Sequence, residues 1–254
     1  MVSLVPSLTE ALIDFGLLES LVGRTRYCTE PHGVVEAIQE VGGTKNPDVA
    51  GIVRLRPEMV VVNREENRLE DCLALEAAGL RLHVTHPRTV PEAADMLAEL
   101  GRVCGAAEAG EVLGQHCHAA VAEAALRLRG RSLATFCPIW RRPYMTFRRA
   151  TYIGDMLARA GCHNVFGDRS GPDFFQITLD ELREAAPELV VLPDEPYAFD
   201  SFHADELLEA GLRARFVLVD GKDLAWYGPR IPRALHTLGA AVQGAPDANI
   251  LPMS

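Results

Sequence analysis

Three stretches of the sequence combine large aromatic side chains with arginine, a composition suited to binding a ligand. Both tryptophans, Trp140 and Trp226, lie in these stretches, together with Tyr144 and Tyr197. Their other aromatic and cationic members are Arg141, Arg142, Tyr227 and Arg230. Aromatic faces stack on rings and guanidinium groups bind anions, which favours a large, ring-rich, anionic ligand. The open alternative is that these aromatics cap the ends of a sheet as peripheral core.

Motifs of the common enzyme classes are missing from the sequence. It contains no GxSxG, Walker A, GxGxxG or HExxH pattern, so the usual hydrolase, NTPase, dinucleotide and zinc-protease mechanisms lack their parts. His116 and His118 look like metal ligands, but residues two apart on a helix point to different faces. We therefore predict no catalytic residue and no metal site. The loop histidines open to an enzyme are His32, His163 and His203.

Length, composition and charge bound the class of protein. With 254 residues, 48% of them hydrophobic, the chain can form two compact lobes. A formal charge of −10 without a basic run argues against nucleic-acid partners. Six cysteines without CxxC spacing predict reduced thiols. No apolar run reaches about 18 residues, so we expect no membrane span.

Alternating strand and helix patterns must position the aromatic stretches. Apolar runs typical of buried strands occupy residues 2–5, 59–62, 82–84, 133–136, 189–192 and 216–219. Helical patterns lie between them, which predicts an α/β fold with two Rossmann-like lobes and mainly parallel sheets. Ser7 and Glu10 have the spacing of a capping box at the start of the first helix. Each aromatic stretch follows a strand, where parallel sheets bind ligands.

An internal repeat supports two lobes of similar topology. The segment RPEMVVV at residues 56–62 is echoed by APELVVL at residues 186–192. Downstream of each copy, AGLR precedes a strand, at residues 78–81 and 210–213. Two echoes in the same order indicate a repeated arrangement of elements.

A long helical segment separates the two halves. Residues 106–129 are rich in Ala, Glu, Leu and Val and contain no proline, and one helix of this length would extend roughly 36 Å. The alternative is two helices broken at Gly110 or Gly114. We predict a single linking helix at 106–130, between a lobe at 1–105 and a lobe at 131–254.

The order of several motifs resembles one family across nearly the whole chain. These motifs are VSLVPSLTE at 2–10, GGTKNPD at 42–48, LRPEMV at 55–60, GCHNVF at 161–166, PELV at 187–190 and WYGPR at 226–230. Together they resemble the class III substrate-binding proteins of ABC importers. That family includes receptors for vitamin B12, ferric siderophores and haem.

The resemblance implies two α/β lobes joined by one helix, a small hinge motion and a ligand held between the lobes. The ligand would be cobalamin or another corrinoid, a ferric siderophore or haem, bound without catalysis and with no covalently attached cofactor. The implied ligand-binding residues are Ser7, Thr9, Tyr27 and Asn63 in the first lobe and Trp140, Arg141, Arg142, Tyr144, Tyr197, Trp226, Tyr227 and Arg230 in the second. The implied partner is an ABC permease, and the candidates for docking it are Glu65, Glu70, Glu195 and Glu206. We expect a monomer.

Two readings of the compartment follow from the start of the sequence. It shows no signal peptide and no lipid-anchor cysteine, which predicts a cytoplasmic protein as written. If the sequence is truncated, the resemblance implies a periplasmic or other extracytoplasmic protein. The alternative function is a cytoplasmic enzyme or sensor of corrinoid or tetrapyrrole metabolism on the same fold.

Overall fold

Strands and helices alternate along the chain in the computed structural model, which describes residues 1–128, 130, 132–244 and 250–251. The strands are β1 (Val2–Ser3), β2 (Gly23–Arg24), β3 (Val60–Asn63), β4 (Leu82–Thr85), β5 (Leu133–Phe136), β6 (Tyr144–Phe147), β7 (Cys162–Asn164), β8 (Phe174–Ile177), β9 (Leu189–Pro193), β10 (Arg215–Val219) and β11 (Ile250–Leu251). The helices are α1 (Pro6–Asp14), α2 (Val49–Leu55), α3 (Leu69–Ala77), α4 (Val90–Cys104), α5 (Ala107–Leu128), α6 (Tyr152–Arg159), α7 (Leu179–Ala185), α8 (Ser201–Glu209), α9 (Gly221–Ala225) and α10 (Ile231–Gln243).

The chain divides into two compact units, each with its own sheet. The first comprises residues 1–87, 92–115 and 227–229, and the second comprises residues 88–91, 116–226 and the described residues from 230 onward. The first sheet is parallel, in the order β2-β1-β3-β4. The second has the order β11-β10-β9-β5-β7 and is parallel except at β11. The predicted α/β fold with two mainly parallel lobes is confirmed.

The internal repeat of the sequence corresponds to a repeat of backbone structure. Arg56 ends α2 with φ 46°, and Ala186 ends α7 with φ 42°, both in the left-handed region. Pro57 and Pro187 follow, and the residue before a proline is disfavoured in a right-handed helix. Each helix therefore stops at the same place before a buried strand, β3 or β9. The strand order β2-β1-β3-β4 matches β7-β5-β9-β10 when each sheet is followed from that edge.

Each sheet has a hydrophobic core built from its central strands. In the first unit, Val2 and Val60 are fully buried and pack with Ile52 of α2 and Leu75 of α3. In the second, the core includes all the apolar residues of one face of β9 together with Phe136 and Phe216, which are buried. Burying one such side chain contributes about 1.5–3 kcal/mol. The continuous apolar runs of these strands are explained by helices covering both faces.

The start of the first helix differs from the predicted capping box. Val5 is the residue that caps α1, and no side chain caps it. Pro6 occupies the first helical position, where its fixed φ is suitable and its missing N–H has no partner to lose. Ser7 therefore lies inside the first turn. At the other end of α1, Gly16 follows the C-cap residue with φ 77°, a left-handed conformation that glycine adopts without strain.

The long central segment forms one helix, α5, as predicted. The alternative break at Gly110 or Gly114 is wrong because these glycines serve helix packing. A Cβ atom on Gly110 would lie 2.8 Å from the Cα atom of Gly101 in α4. The division between the two units falls inside α5, after Gln115. Arg129, near the end of the helix predicted at 106–130, lies outside the described residues, and the predicted domain boundaries stay predictions.

A two-stranded antiparallel sheet was not expected from the sequence. The aromatic stretch that follows β5 contains β6, which pairs with β8. Tyr144 and Phe147 of β6 are buried. The aromatic and β-branched residues of β6 suit a half-buried strand, and only the distant pairing with β8 turns that preference into a sheet.

Two further features concern the chain as a whole. Within the ranges that the structure describes, no helix has both the length and the apolar character needed to cross a membrane.

The cysteines are free thiols: Cys28, Cys72, Cys104, Cys117, Cys137 and Cys162. Burial raises the pKa of the Cys104 and Cys162 thiols to about 11, which keeps them protonated and unreactive at neutral pH.

The close contact of α4 and α5 predicts the effect of one methyl group. Gly110→Ala would place a Cβ atom 2.9 Å from the Leu97 carbonyl oxygen, so we expect the free energy of unfolding to fall by roughly 1–3 kcal/mol. Urea unfolding followed by circular dichroism measures it. The matched control is Gly239→Ala in α10, where no atom lies within 4 Å of the added Cβ and stability should hold or rise. Equal effects of the two variants would contradict the packing role.

Candidate functional site

The carboxyl edge of the second sheet gathers aromatic side chains from separate parts of the chain. β5, β9 and β10 are neighbouring parallel strands, so the segments that follow them emerge side by side. Trp140, after β5, lies against Tyr197, after β9, with ring centroids 5.5 Å apart and planes at 74°. Tyr197 also packs on Phe199 at 4.7 Å. This edge-to-face arrangement is a favourable one for aromatic pairs, and it leaves Trp140 45% exposed.

The start of α8 fixes the position of Tyr197. The Tyr197 hydroxyl lies 3.3 Å from Nε2 of His203, which is buried. Nδ1 of His203 lies 2.7 Å from Oδ1 of Asp200, and Asp200 caps α8 in a capping box with His203. From the sequence alone, His203 was a candidate only for an enzyme. The Asp-x-x-His spacing at the helix start is the signal that could have revealed this positioning role.

The side chain of Arg141 forms an ion pair inside the second unit. Its Nη2 atom lies 2.6 Å from the carboxylate of Glu206 in α8, and its side chain is only 9% exposed. The hydrogen bond to Glu206 raises the pKa of Arg141, and the same bond lowers the pKa of the Glu206 carboxyl. Tyr144 lies beside Arg141 and is buried, and burial raises the pKa of its hydroxyl. Arg142, by contrast, is exposed.

Trp226 and Arg230 form a second cluster at the same edge, after β10. The guanidinium carbon of Arg230 lies 5.2 Å from the Trp226 ring centroid, and the Lys222 ammonium lies 5.4 Å from it. These are cation–π distances. The Trp226 carbonyl accepts a hydrogen bond of 3.2 Å from the buried hydroxyl of Tyr152. Arg230 also approaches Asp220, with 4.0 Å between Nη1 and Oδ2.

The segment after β9 connects the two clusters. Its Tyr197 contacts the segment after β5, and its Asp194 accepts a hydrogen bond of 2.7 Å from the Gly221 amide after β10. A Cβ atom on Gly221 would lie 2.6 Å from the Glu195 amide nitrogen, so only glycine allows this approach. The three segments therefore form a continuous edge.

In the first unit, the predicted residues Ser7 and Tyr27 follow β1 and β2. Ser7 is buried in the first turn of α1, and its Oγ atom has no hydrogen-bond partner within the described structure. Tyr27 is 56% exposed. Its ring lies over Gly43, where an added Cβ atom would be 3.2 Å from the ring. Both residues belong to the carboxyl edge of the first sheet.

Thr9 lies in the interior of the first unit. Its hydroxyl is 2.9 Å from Oγ of Ser3 and 3.0 Å from the Val5 carbonyl, and the Cys28 sulfur is 3.0 Å away. All of these groups are buried. Two residues after Ser7 on the same helix, Thr9 points to a different face. We therefore leave Thr9 out of the candidate site.

Asn63 organises the turn that follows β3. Its Oδ1 atom accepts hydrogen bonds from the amides of Glu65, at 2.8 Å, and Glu66, at 3.3 Å. Its Nδ2 atom donates to Oγ1 of Thr85 at 3.2 Å. Asn63 is buried, and its side chain stabilises the turn through these hydrogen bonds.

The predicted docking glutamates differ in their exposure to solvent. Glu65 is half-buried and lies 3.3 Å from Nε2 of His86. Glu70 is exposed in the first turn of α3, with Arg68 2.7 Å away. In the second unit, burial raises the pKa of the Glu195 carboxyl, and the other candidate is the partner of Arg141 described above.

Tyr227 makes an unexpected contact with Glu66 in the first unit. The Tyr227 hydroxyl, which is buried, donates a hydrogen bond of 2.8 Å to Oε1 of Glu66. Burial raises the pKa of the Glu66 carboxyl to about 7, against the lowering effect of Tyr227 and Lys45. Glu66 was not among the residues predicted from the sequence. Its hydrogen-bond partner is 161 residues away, and no local sequence pattern indicates such a distant contact.

Comparison with known proteins identifies the family. A family model described as periplasmic binding protein matches residues 1–211 of this chain. The chain belongs to the periplasmic binding protein family. The resemblance seen in the sequence is thereby confirmed.

Relatives within the periplasmic binding protein family are distant in sequence and close in fold. The vitamin B12-binding protein of Yersinia pestis is 23% identical over 207 residues, which cover 80% of this chain and 72% of the relative. The periplasmic heme-binding protein RhuT from Roseiflexus superposes with a TM-score of 0.81 at 22% identity, over 94% of this chain and 95% of that one. The periplasmic vitamin B12 binding protein BtuF of Vibrio cholerae gives 0.80 at 17% identity, over 97% of each.

The remaining candidate ligands in this periplasmic binding protein lie apart from one another. On α5, Cys117 is buried while His116 and His118 are exposed. His32 pairs with a glutamate in an exposed segment, and His163 lies 3.1 Å from Oγ of a serine. Across the described ranges, no group of three or more His, Cys, Asp or Glu side chains could hold a metal ion.

The raised pKa of Glu66 predicts a pH dependence of stability. Because the folded pKa of about 7 exceeds the ordinary 4.5, folding takes up a proton between these values and stability falls as the pH rises through them. Glu66→Gln removes this titration while keeping an acceptor for Tyr227. We expect the variant to gain roughly 1–3 kcal/mol over the wild type on going from pH 4.5 to pH 8. Urea unfolding at both pH values measures it.

Tyr227→Phe is the matched variant for this experiment. It keeps the ring and removes the hydrogen bond that lowers the pKa of Glu66, so the pH range of the stability loss should move upward. A stability difference between Glu66→Gln and the wild type that is the same at both pH values would contradict the burial of this carboxyl.

Proposed function

We propose that this protein is the substrate-binding receptor of an ABC importer and carries a metal chelate without transforming it. The chelate would be cobalamin or another corrinoid, haem, or a ferric siderophore. Family membership favours binding over catalysis. Relatives with similar folds are named for binding vitamin B12 and heme, which supports a chelate of this size as the ligand.

The observation that carries the proposal is the aromatic edge of the second sheet. Trp140 and Tyr197 pack edge to face there, and Trp226 lies at the same edge with cationic side chains over its ring. Clustered aromatic rings that are partly open to water and bordered by polar groups are typical of ligand-binding surfaces. Ring faces held rigidly by packing can cover a flat macrocycle at small entropic cost.

The carboxyl edge of the first sheet offers a smaller set of candidates. Tyr27 is exposed there, and the buried Oγ atom of Ser7 lacks a partner among the described residues. A hydroxyl in this state costs free energy unless a ligand or water satisfies it. Both residues stay candidate ligand-binding residues of the first unit. The prediction that the ligand lies between the lobes stays a prediction.

The proposal extends to the partner and the compartment. A receptor of an importer delivers its ligand to a permease, and of the predicted docking glutamates Glu70 is the one best exposed for that role. Membership of the periplasmic binding protein family favours a location outside the cytoplasm over the cytoplasmic reading. We expect a monomeric receptor with no nucleic-acid partner.

A fluorescence and absorbance titration tests the proposal directly. The purified protein is titrated with hydroxocobalamin, haemin and several ferric siderophores, and saturable one-to-one binding of one ligand class at micromolar or lower concentration is expected. Failure of every one of these chelates to bind would refute the receptor function.

Single tryptophan variants test which rings contact the ligand. Trp140→Ala and Trp226→Ala should each weaken binding about 5- to 150-fold, equivalent to roughly 1–3 kcal/mol of lost burial and stacking. The matched control is Phe174→Ala, which removes a 37% exposed ring at the end of the two-stranded sheet away from Tyr144. If the control weakens binding as much as the tryptophan variants, the aromatic edge is not the site.

A further inference from the structure

The charges at the aromatic edge are balanced. The segments that follow β5, β9 and β10 carry four cationic side chains and five carboxylates. The cations are Arg141, Arg142, Lys222 and Arg230, and the carboxylates are Asp194, Glu195, Asp200, Asp220 and Asp223. From the sequence alone, the arginines pointed to an anionic ligand. The carboxylates outnumber the cations by one, and Asp223 is itself paired with Arg233 of α10, so the edge as a whole presents no excess of positive charge.

Arg141 interacts with Tyr197 of the Trp140–Tyr197 pair, and its charge is already compensated by a carboxylate. Glu206 holds it at 2.6 Å, in surroundings that leave the arginine side chain 9% exposed. The Nε atom of Arg141 is also shielded from solvent. An incoming anion would have to separate this ion pair and then sit beside the carboxylate of Glu206. Like charges at such short range repel, and water reduces this repulsion only in part because the Glu206 side chain is 34% exposed.

The second cluster shows the same compensation. Arg230 lies over Trp226 and approaches Asp220. On the neighbouring helix α10, Arg233 forms an ion pair of 2.6 Å with the buried Asp223. Arg230, which lies over the tryptophan ring, thus has a carboxylate near it, and this reduces the field that a ligand would meet there.

Resting on the proposed function, we infer that this receptor selects a chelate with no net negative charge, and that Glu206 sets this selectivity by neutralising Arg141. The ligand class is a neutral or cationic macrocyclic chelate whose periphery carries amides rather than carboxylates. A macrocycle with ionised carboxylates, or an anionic ferric chelate, is disfavoured. Glu206 acts here as a specificity-determining residue, and the Trp140–Tyr197 pair supplies the ring contact.

Paired titrations with two probes test the inference. Hydroxocobalamin presents amides and no net negative charge, whereas haemin presents two carboxylates on a flat ring. We expect the wild type to bind hydroxocobalamin at least tenfold more tightly than haemin. Glu206→Gln should reduce that preference at least tenfold, chiefly by tightening haemin binding, because it uncovers the charge of Arg141. The gain for haemin should shrink in high salt.

Two further variants separate charge from structure. Glu206→Asp keeps the carboxylate and should keep the preference of the wild type. Asp180→Asn breaks an arginine–carboxylate pair of 2.5 Å with Arg183 on the exposed helix α7 and should leave both affinities unchanged. Thermal unfolding of each variant shows whether it is folded at the temperature of the titration.

The outcomes distinguish this inference from the function on which it rests. If the wild type binds haemin as tightly as hydroxocobalamin or more tightly, the protein is a chelate receptor and the charge selectivity is wrong. An unchanged preference in folded Glu206→Gln overturns the role of Glu206. If neither these probes nor any ferric siderophore binds, the receptor function itself fails.

Discussion

Parallel pairing of neighbouring strands is the constraint on which the rest of this molecule depends. A parallel strand must be reached by a crossover, so every segment that leaves a strand at its carboxyl end emerges at the same edge of the sheet. In the second unit, this rule brings residues near positions 140, 197 and 226 to one edge, although they are far apart in the chain. Long loops are not needed to bring these residues together, because the strands that precede them are neighbours in one sheet.

The edge gains its chemical character from pairs of side chains rather than from single ones. Tyr197 is held by His203, and Arg141 is held by Glu206, so helix α8 supplies the partner of each. The same helix is capped by Asp200, which contacts His203. One short helix therefore determines the orientation of an aromatic ring and the effective charge of an arginine. Such supporting contacts are what make a binding surface rigid and selective.

Similarity to other periplasmic binding proteins lies in the backbone more than in the side chains. A TM-score of 0.81 accompanies 22% identity with one haem-binding relative. The helix end, proline and buried strand at residues 56–62 and 186–192 show how few side chains this backbone requires. Fold alone therefore does not identify a ligand, and side chains such as Glu206 would decide which ligand fits.

Periodicity and local chemistry in the sequence determined the α/β class, the repeat, the single helix α5 and the set of aromatic segments after strands. These features depend on neighbours in the chain: apolar runs make strands, and Gly16 ends a helix. Residues remote in sequence decided the rest. The antiparallel pair β6–β8, the interior position of Thr9, the contact of Tyr227 with Glu66 and the pairing of Arg141 with Glu206 required tertiary structure. Hydrogen bonds and ion pairs form only between groups a few ångströms apart. The sequence contains both partners of each pair, but only the folded chain shows that they lie within this distance.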